Sequence, residues 1–451
     1  MHSTLFQART VFIASFAMGA FLIPAVASPV LAQSSSTSAD QGASFADALQ
    51  IAKRFKVAGL DSRRFTHDAY WRIVAPSLKS PVFHTEEIGK SMQGRSIRTV
   101  TFGEGKTKVL LWSQMHGDES TATMALADIF NYLAAPGSDP LRDRLKEGLT
   151  IVFIPMLNPD GAQVFQRRNA AAIDINRDAR RLSTPEARAL KAERDRLQPD
   201  FGFNLHDQNA RTRVGPNGKQ AGIALEVPAY SADGSYNDVR TRGRLVAATL
   251  AEMFQSQIPG RVAKYDETFN PRAFGDNMQK WGASTVLIES GALPDDPEKQ
   301  KLRTLNAAAI LGVLDAIATG RYTNADPASY ESLESNEGGA HNILIMGGKL
   351  VLPGEEPILM DLAVDYDDAV AHRGPRLRDA GDLLEEVAID TVDASGLFIH
   401  PRGSSVARGA GGARLVLGAP ASLDIRRGPE PSSALVKHIG RSASGAGAAR
   451  K

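Results

Sequence analysis

The run Lys108-Val109-Leu110-Leu111-Trp112-Ser113-Gln114-Met115-His116-Gly117-Asp118-Glu119 decides how the rest of the chain is read. Its apolar start, built from strand-forming residues, has the length of a buried strand. Downstream, Ser120 to Leu133 carries Met124, Ala125, Ile129, Phe130 and Leu133 at helical spacing. His116 and Glu119 therefore stand where a strand ends and a helix begins, which is where open α/β sheets form their ligand crevice. A neutral imidazole and a carboxylate three residues apart on a turn can close on one metal ion. Zinc accepts such nitrogen and oxygen donors, and a catalytic site keeps three protein ligands with one position open. The pair alone recurs by chance in many chains. It gains meaning only if a distant third donor, a base and anion-binding groups accompany it.

They do. Two further apolar runs end on candidate groups: Phe201–Leu205 leads to His206, and Ser284–Ile288 leads to Glu289. His116, Glu119 and His206 make a His-Glu-His zinc site. A lone histidine after a strand is usually a half-buried, satisfied side chain, but His206 follows its strand just as His116 does. Glu289 is costly to bury unpaired at the end of such a strand. It is either a structural ion-pair partner or a general base on a water activated by the metal, a role that needs a carboxylate close to the ion but not bound to it. A further apolar run, Leu149–Met156, ends at Asn158-Pro159-Asp160-Gly161, a turn signal. Between Gln166 and Asp178, Arg167, Asn176 and Arg177 offer planar donors suited to a carboxylate and to a developing oxyanion. Arg168, Arg180 and Arg181 suit a solvated face equally well.

Around these landmarks the pattern predicts helices over Phe45–Phe55, Phe65–Val74, Pro185–Leu197, Val239–Phe254 and Lys299–Thr319. A strand, a glycine-containing turn and a second strand span Ile88 to Val100. Strands alternating with helices predict an α/β domain, a mostly parallel mixed sheet flanked by helices, over residues 65–322. After Asn324 the texture changes to glycine, proline and short apolar runs. Residues 325–441 read as a β-rich accessory domain and 442–451 as a mobile tail.

Composition narrows the classes of function. The chain has 451 residues, 43% of them apolar and 23% charged, the balance of an ordinary globular protein. A net charge of +1 gives no sign of a nucleic-acid partner. With no cysteine, disulfides, thiolate metal sites and cysteine catalysis are excluded. Residues 1–32 read as a secretory signal: Arg9, an apolar run from Val11 to Val26, then small residues at Ala25-Val26-Ala27 and Val30-Leu31-Ala32. A membrane anchor is the alternative. The run is short and broken by Pro24, which favours cleavage and no stable membrane insertion afterwards. Residues 33–64 are a linker with the first helix, and the expected location is periplasmic or secreted.

Taken in order, the motifs resemble those of the zinc carboxypeptidases of the carboxypeptidase A type, the M14 metallopeptidases. They are Ile88-Gly89-Lys90-Ser91 with Gly94-Arg95, His116-x-x-Glu119, Asn158-Pro159-Asp160-Gly161, Arg167-x-Asn169, Asp174-x-Asn176-Arg177, His206 and Glu289. The resemblance implies that His116, Glu119 and His206 hold Zn2+, that Glu289 is the base and that Arg167 steadies the oxyanion. It implies that Asn176 and Arg177 bind the terminal carboxylate of a peptide or protein substrate, and that Asp174 orients a zinc histidine. The family's mobile tyrosine falls nearest Tyr265, although Phe269 lies closer to the expected place. Arg272 is as suited to the surface as to the pocket. The C-terminal part resembles the small β-sandwich of amidohydrolases without their barrel, so His341, His372, His400 and His438 read as surface histidines. The function expected is an exported metallocarboxypeptidase. The alternatives are a zinc-dependent amide hydrolase acting on N-acyl amino acids or cell-wall peptides, and a zinc-retaining binding module without turnover.

Overall fold

In the computed structural model, residues 42–440 are described, and they fall within one compact unit. The signal segment, most of the lead-in after it and the expected mobile tail lie outside the described residues.

The strands follow the apolar runs. In chain order they are β1 (Phe83–Lys90), β2 (Ser96–Phe102), β3 (Thr107–Ser113), β4 (Leu149–Ile154), β5 (Phe201–Asp207), the short β6 (Arg213–Val214), β7 (Ile223–Glu226), β8 (Val262–Lys264) and β9 (Ser284–Ser290). All but β6 form one sheet in the order β1-β2-β4-β3-β5-β9-β7-β8. The pairs β3–β4, β3–β5, β5–β9 and β7–β8 are parallel, and the outer pairs β1–β2 and β2–β4, with β7–β9, are antiparallel. This is the mixed, mostly parallel sheet that the sequence predicts. β7 and β8 were not legible in it.

Side chains alternate across the central strand, as the two-residue period of a strand requires. Val109 and Leu111 enter a core shared with helices α3 (Thr121–Leu133), α7 (Asp238–Gln257) and α9 (Gln300–Ala318). Leu110 and Trp112 enter the opposite core, under α6 (Pro185–Leu197) and α8 (Phe274–Lys280). Because helices cover both faces, the middle strands read as unbroken apolar runs. The first helices, α1 (Phe45–Arg54) and α2 (His67–Leu78), begin within two residues of the expected positions, and Ala48, Leu49, Tyr70 and Val74 join the α3/α7/α9 core. A fully buried ion pair ties these layers. Arg303 on α9 donates Nε to Asp128 Oδ2 at 2.8 Å and Nη2 to Oδ1 at 2.6 Å, and its remaining donors reach the carbonyls of Val57 and Leu60.

The expected turn at Asn158-Pro159-Asp160-Gly161 is instead the start of a short helix, α5 (Pro159–Val164), which follows α4 (Pro140–Gly148) in the chain. Pro159 occupies the first helical position, and the Asn158 side chain accepts the Gly161 N–H at 2.9 Å. The turn chemistry was read correctly, but it serves as a helix cap.

Beyond α9 and the short α10 (Ala328–Glu331), the chain is β-rich. β10 (Asn336–Glu337) pairs with β6. Then β11 (His341–Leu350), β12 (Ile358–Asp368) and β13 (Arg373–Gly381) form an antiparallel meander. Ala388–Asp393, Phe398–Pro401, Ser422–Arg426 and Leu435–Gly440 complete a seven-stranded sheet over a core that includes Ile345, Leu362, Val364, Leu377 and Ile425. The likeness to the amidohydrolase sandwich rests on sequence alone. One histidine departs from expectation: His400 is buried, with Nε2 donating to the Gly428 carbonyl at 3.1 Å, because its strand is flanked on both sides. Among the described residues no helix is long and apolar enough to cross a membrane.

Candidate metal centre and its cavity

Strand register sets two of the key groups side by side. His206 stands opposite Glu289 in the parallel β5–β9 pair, so both leave the same face of the sheet near its carboxyl edge. β7 extends that face, with Ala224 opposite Glu289 and Glu226 opposite Leu287. His116 and Glu119 arrive from the turn after β3. Gln114 takes a left-handed backbone with φ of 50°, turning the chain out of the strand. Its side-chain Nε2 then donates to the Gly117 carbonyl at 2.9 Å. The Glu119 N–H closes the turn on the His116 carbonyl at 3.1 Å, and α3 begins two residues later. A Cβ on Gly117 would overlap the backbone of Gly161 and Ala162, so the turn leans directly on α5. The Gly117 N–H also donates to the Arg167 carbonyl at 3.3 Å.

His116, Glu119 and His206 each bring one donor atom to within 4.8 Å of the others. The Nδ1 of His116 lies 2.8 Å from Glu119 Oε1, and the Nδ1 of His206 lies 2.7 Å from Oε2. The two Nδ1 atoms are 3.1 Å apart. On its other side, His116 Nε2 is 3.0 Å from Asp174 Oδ1. The His116 hydrogen bond and charge hold the Asp174 carboxyl far below the usual carboxylate range despite its burial, so that oxygen only accepts and Nε2 must carry the proton. In the neutral ring, the form that binds a metal, His116 Nδ1 would then present its lone pair toward His206 and Glu119. Two inward-facing imidazole nitrogens and a carboxylate are the donor set of a catalytic zinc site, and Asp174 supplies the outer hydrogen bond that fixes a ligand's tautomer. The residues present therefore fit Zn2+.

The electrostatics agree with a cation at this point. Burial alone would strip the His116 proton, but the Glu119 charge and the Asp174 hydrogen bond outweigh it and push the imidazole up to about 9. Burial draws His206 the other way, below its ordinary value. Both histidines hold the Glu119 carboxyl down against its burial. Glu289 is pushed well up, first by burial and then by the Glu119 charge, and its Oε2 is buried without a hydrogen-bond partner. Beside it, His206 Nε2 is likewise buried without a hydrogen-bond partner among the described residues.

Arg167, Asn176, Arg177, Tyr265 and Glu289 line the same cavity as His116 and Glu119, a cleft of about 1040 Å³. His206 and Asp174 touch that lining from behind. Thus every sequence-predicted site residue comes to one place. Arg167 donates Nη1 to Glu119 at 2.9 Å and Nη2 to Asp174 at 3.1 Å. Asn176 spends its side-chain oxygen on the Phe274 N–H at 2.8 Å, which leaves its NH₂ as the free donor. Among the described residues the Arg177 guanidinium makes one hydrogen bond, to the Asn176 carbonyl at 2.7 Å, and forms no ion pair. Glu289 raises the Tyr265 hydroxyl above its usual range, with burial adding to the effect. Arg272 does not line the cleft; its Nε reaches the Arg177 carbonyl at 3.4 Å.

Sequence reasoning missed several members. Glu226 is buried and projects into the cleft from β7, a strand too short to announce itself. Asp276, at the start of α8, lines the same end. Beneath Glu289, buried Lys299 pairs with Asp207 at 3.1 Å and donates to the Ser290 carbonyl at 2.9 Å. Tyr366 to Val370, from the end of β12 and the turn after it, also line the cleft. No local signal marked them, because only the fold brings them near.

Fold and site together define an α/β protein with a His-Glu-His cluster that could hold a metal ion at the carboxyl edge of its parallel core. Residues 75–218 match the family described as Peptidase_M14, zinc carboxypeptidase. Carboxypeptidase 2 of Trichophyton tonsurans is 27% identical over 165 residues, covering 34% of this chain and 30% of that protein. Carboxypeptidase M of Mus musculus is 29% identical over 143 residues, covering 27% of this chain and 32% of that protein. The chain thus spans about a third of the length of these relatives. Among solved structures, a metallo-carboxypeptidase from Burkholderia cenocepacia is 21% identical with a TM-score of 0.46, covering 58% of this chain and 70% of that one. The 75–218 segment that matches the zinc carboxypeptidase family carries His116, Glu119, Arg167, Asp174, Asn176, Arg177 and His206.

Proposed function

We propose that this protein is an exported zinc metallocarboxypeptidase that hydrolyses the last peptide bond of a peptide or protein. The observation that carries the reading is the shared cleft. Among the described residues it holds a buried carboxylate, Glu289, with an unpartnered oxygen beside the His-Glu-His cluster, and a guanidinium without an ion-pair partner, Arg177. Bound zinc would polarise the scissile carbonyl and acidify a water molecule. Arg177 and the Asn176 amide grip the substrate's terminal carboxylate, which brings the last carbonyl to the cluster. Glu289 accepts the proton of the attacking water and returns it to the leaving amine, a role suited to its raised proton affinity. Arg167 stands at the cluster's edge to donate to the oxyanion. These groups lie between residues 116 and 289, inside the 65–322 catalytic segment, with 325–441 as its accessory domain. Export rests on residues 1–32, and periplasmic or secreted placement follows from it.

The same cleft indicates which terminal side chain is accepted. Burial raises Glu226 well above its ordinary value, and the charges of Asp276 and Glu267 add to it. Burial likewise lifts Asp276 to about 6. A lysine or arginine side chain placed there would restore the ionised forms, so the preferred substrates end in a basic residue.

The test compares a good peptide substrate as free acid and as C-terminal amide. Removing one partner of a desolvated, charge-assisted pair costs roughly 2 to 5 kcal/mol, so amidation should lower kcat/KM by about 30-fold or more. Arg177→Ala should cost the free acid a similar factor, and the two losses should not add, because they remove one contact. Equal cleavage of acid and amide refutes the reading in favour of a broader amide hydrolase acting on N-acyl amino acids or cell-wall peptides. Zinc retention with no turnover of any peptide would mark a binding module.

A further inference from the structure

We infer that the turn joining β12 to β13, contributed by the accessory sheet, is the wall of the substrate cleft that meets the peptide ahead of the bond to be cut. The inference rests on the carboxypeptidase reading for the direction in which the peptide lies. A chain of contacts gives its position. Arg177 and Asn176 adjoin Asp174, whose carboxylate accepts the Asn176 N–H at 2.9 Å and holds His116. Past the cluster comes Ser120, whose hydroxyl donates to the Arg63 carbonyl at 2.6 Å. The Arg63 guanidinium then pairs with Asp368 at the end of β12. These contacts lead from the carboxylate anchor through the His-Glu-His cluster to the accessory turn, all along one cleft. A peptide with its terminus on Arg177 and its last bond at the cluster runs onward toward Asp368 and Val370.

The turn is held in place by charge and lines the cleft with Tyr366, Ala369 and Val370 beside the paired Asp367 and Asp368. Arg63 and Arg64 both reach Asp368, Arg211 pairs with Asp365 at 2.7 Å, and Asp367 is taken by Arg376 at 2.7 Å. With its acids neutralised, the turn offers the cleft the Tyr366 ring, stacked on His372 at 5.0 Å between centroids, and the side chains of Ala369 and Val370. Phe165, with Arg64 over its ring at 4.6 Å, lines the cleft beside them. The ligand such a wall fits is a peptide with an aromatic or branched apolar residue ahead of the scissile bond. A single N-acylated amino acid ends before reaching it.

The experiment uses the full chain loaded with zinc, as wild type, Tyr366→Ala and Val370→Ser. It measures kcat/KM for an N-acetylated lysine and for a hexapeptide ending in lysine with phenylalanine before the last bond. Each variant should lower the ratio of hexapeptide to N-acetyl-lysine turnover by about tenfold, the effect of losing one apolar contact in a pocket. A ratio that stays within about twofold of wild type, with both rates lowered together or neither changed, overturns the proposal. If wild type cleaves neither compound, the carboxypeptidase reading fails, and calorimetric binding of the two compounds decides the wall. Affinity lost for the hexapeptide alone upholds the wall, and equal affinities across the three proteins overturn it. Thermal unfolding of each variant separates a local change from misfolding, and Val370, in the turn after β12, is the milder substitution.

Discussion

Asp174→Asn separates the zinc assignment from any assay of turnover. In the structure Asp174 Oδ1 accepts from His116 Nε2 at 3.0 Å and from the Asn176 N–H at 2.9 Å, and Oδ2 accepts from Arg167 at 3.1 and 3.3 Å. An amide of the same shape must turn its NH₂ toward one of these donor pairs. Facing Arg167 is the better arrangement, since His116 and the backbone cap then keep an acceptor. That acceptor is neutral, and a neutral hydrogen bond has roughly half the strength of a charged one. The imidazole stays oriented but becomes a poorer ligand, so zinc affinity should fall by about tenfold, or about 1.4 kcal/mol. Asp174→Ala removes orientation as well and should approach a hundredfold. The assay is competition for zinc with a chromophoric chelator at fixed pH, with thermal unfolding to confirm the fold. If both variants hold zinc within about twofold of wild type, Asp174 does not support a ligand. If the alanine variant binds better than the asparagine variant, the orientation argument fails.

Glu289→Gln should keep zinc and fold while losing about 10²- to 10⁴-fold in kcat, the range for a general base; near-wild-type turnover would place the base elsewhere. The preference for C-terminal lysine over norleucine should rise with pH through about 6, because burial lifts Asp276 to that value and only its ionised form attracts a cation. Below that pH the preference should fade, and a flat ratio across the range would remove Asp276 and Glu226 from the specificity pocket. Arg303→Met should destabilise the fold by about 3 to 5 kcal/mol in denaturant unfolding, since it leaves Asp128 charged, buried and unpaired. A loss under about 1 kcal/mol would show that water reaches that pair.

What could be read from the sequence followed from burial. Lys108–Trp112, Phe201–Leu205 and Ser284–Ile288 are covered on both faces, so each appears as an unbroken apolar run with its ligand or base at the end. Pro185–Leu197 was legible to the residue because Thr184 caps it and Pro185 opens it. β7 and β8 have four and three residues, too few to show a period, and Glu226 went unseen with β7. The turn after β12 could not be found from the chain at all. Asp368 pairs with Arg63 across 305 positions, and no local pattern records such a contact.

The packing of Gly117 against Gly161 bears on how the metal is acquired. The turn carrying His116 and Glu119 is braced backbone against backbone, with no flexible side chain between it and the loop that supplies Arg167 and Asp174. The cage is therefore shaped before an ion enters, and little of the binding free energy goes into ordering the chain. Where a small zinc module folds around its ion, this protein is expected to keep its shape on chelation. Zinc should therefore be removable by a chelator and replaceable by another divalent ion without a change in the thermal unfolding of the scaffold beyond the loss of the ion's own binding energy. The restriction falls on heredity instead: at position 117 every side chain larger than hydrogen is closed off, however well it would serve elsewhere on a turn.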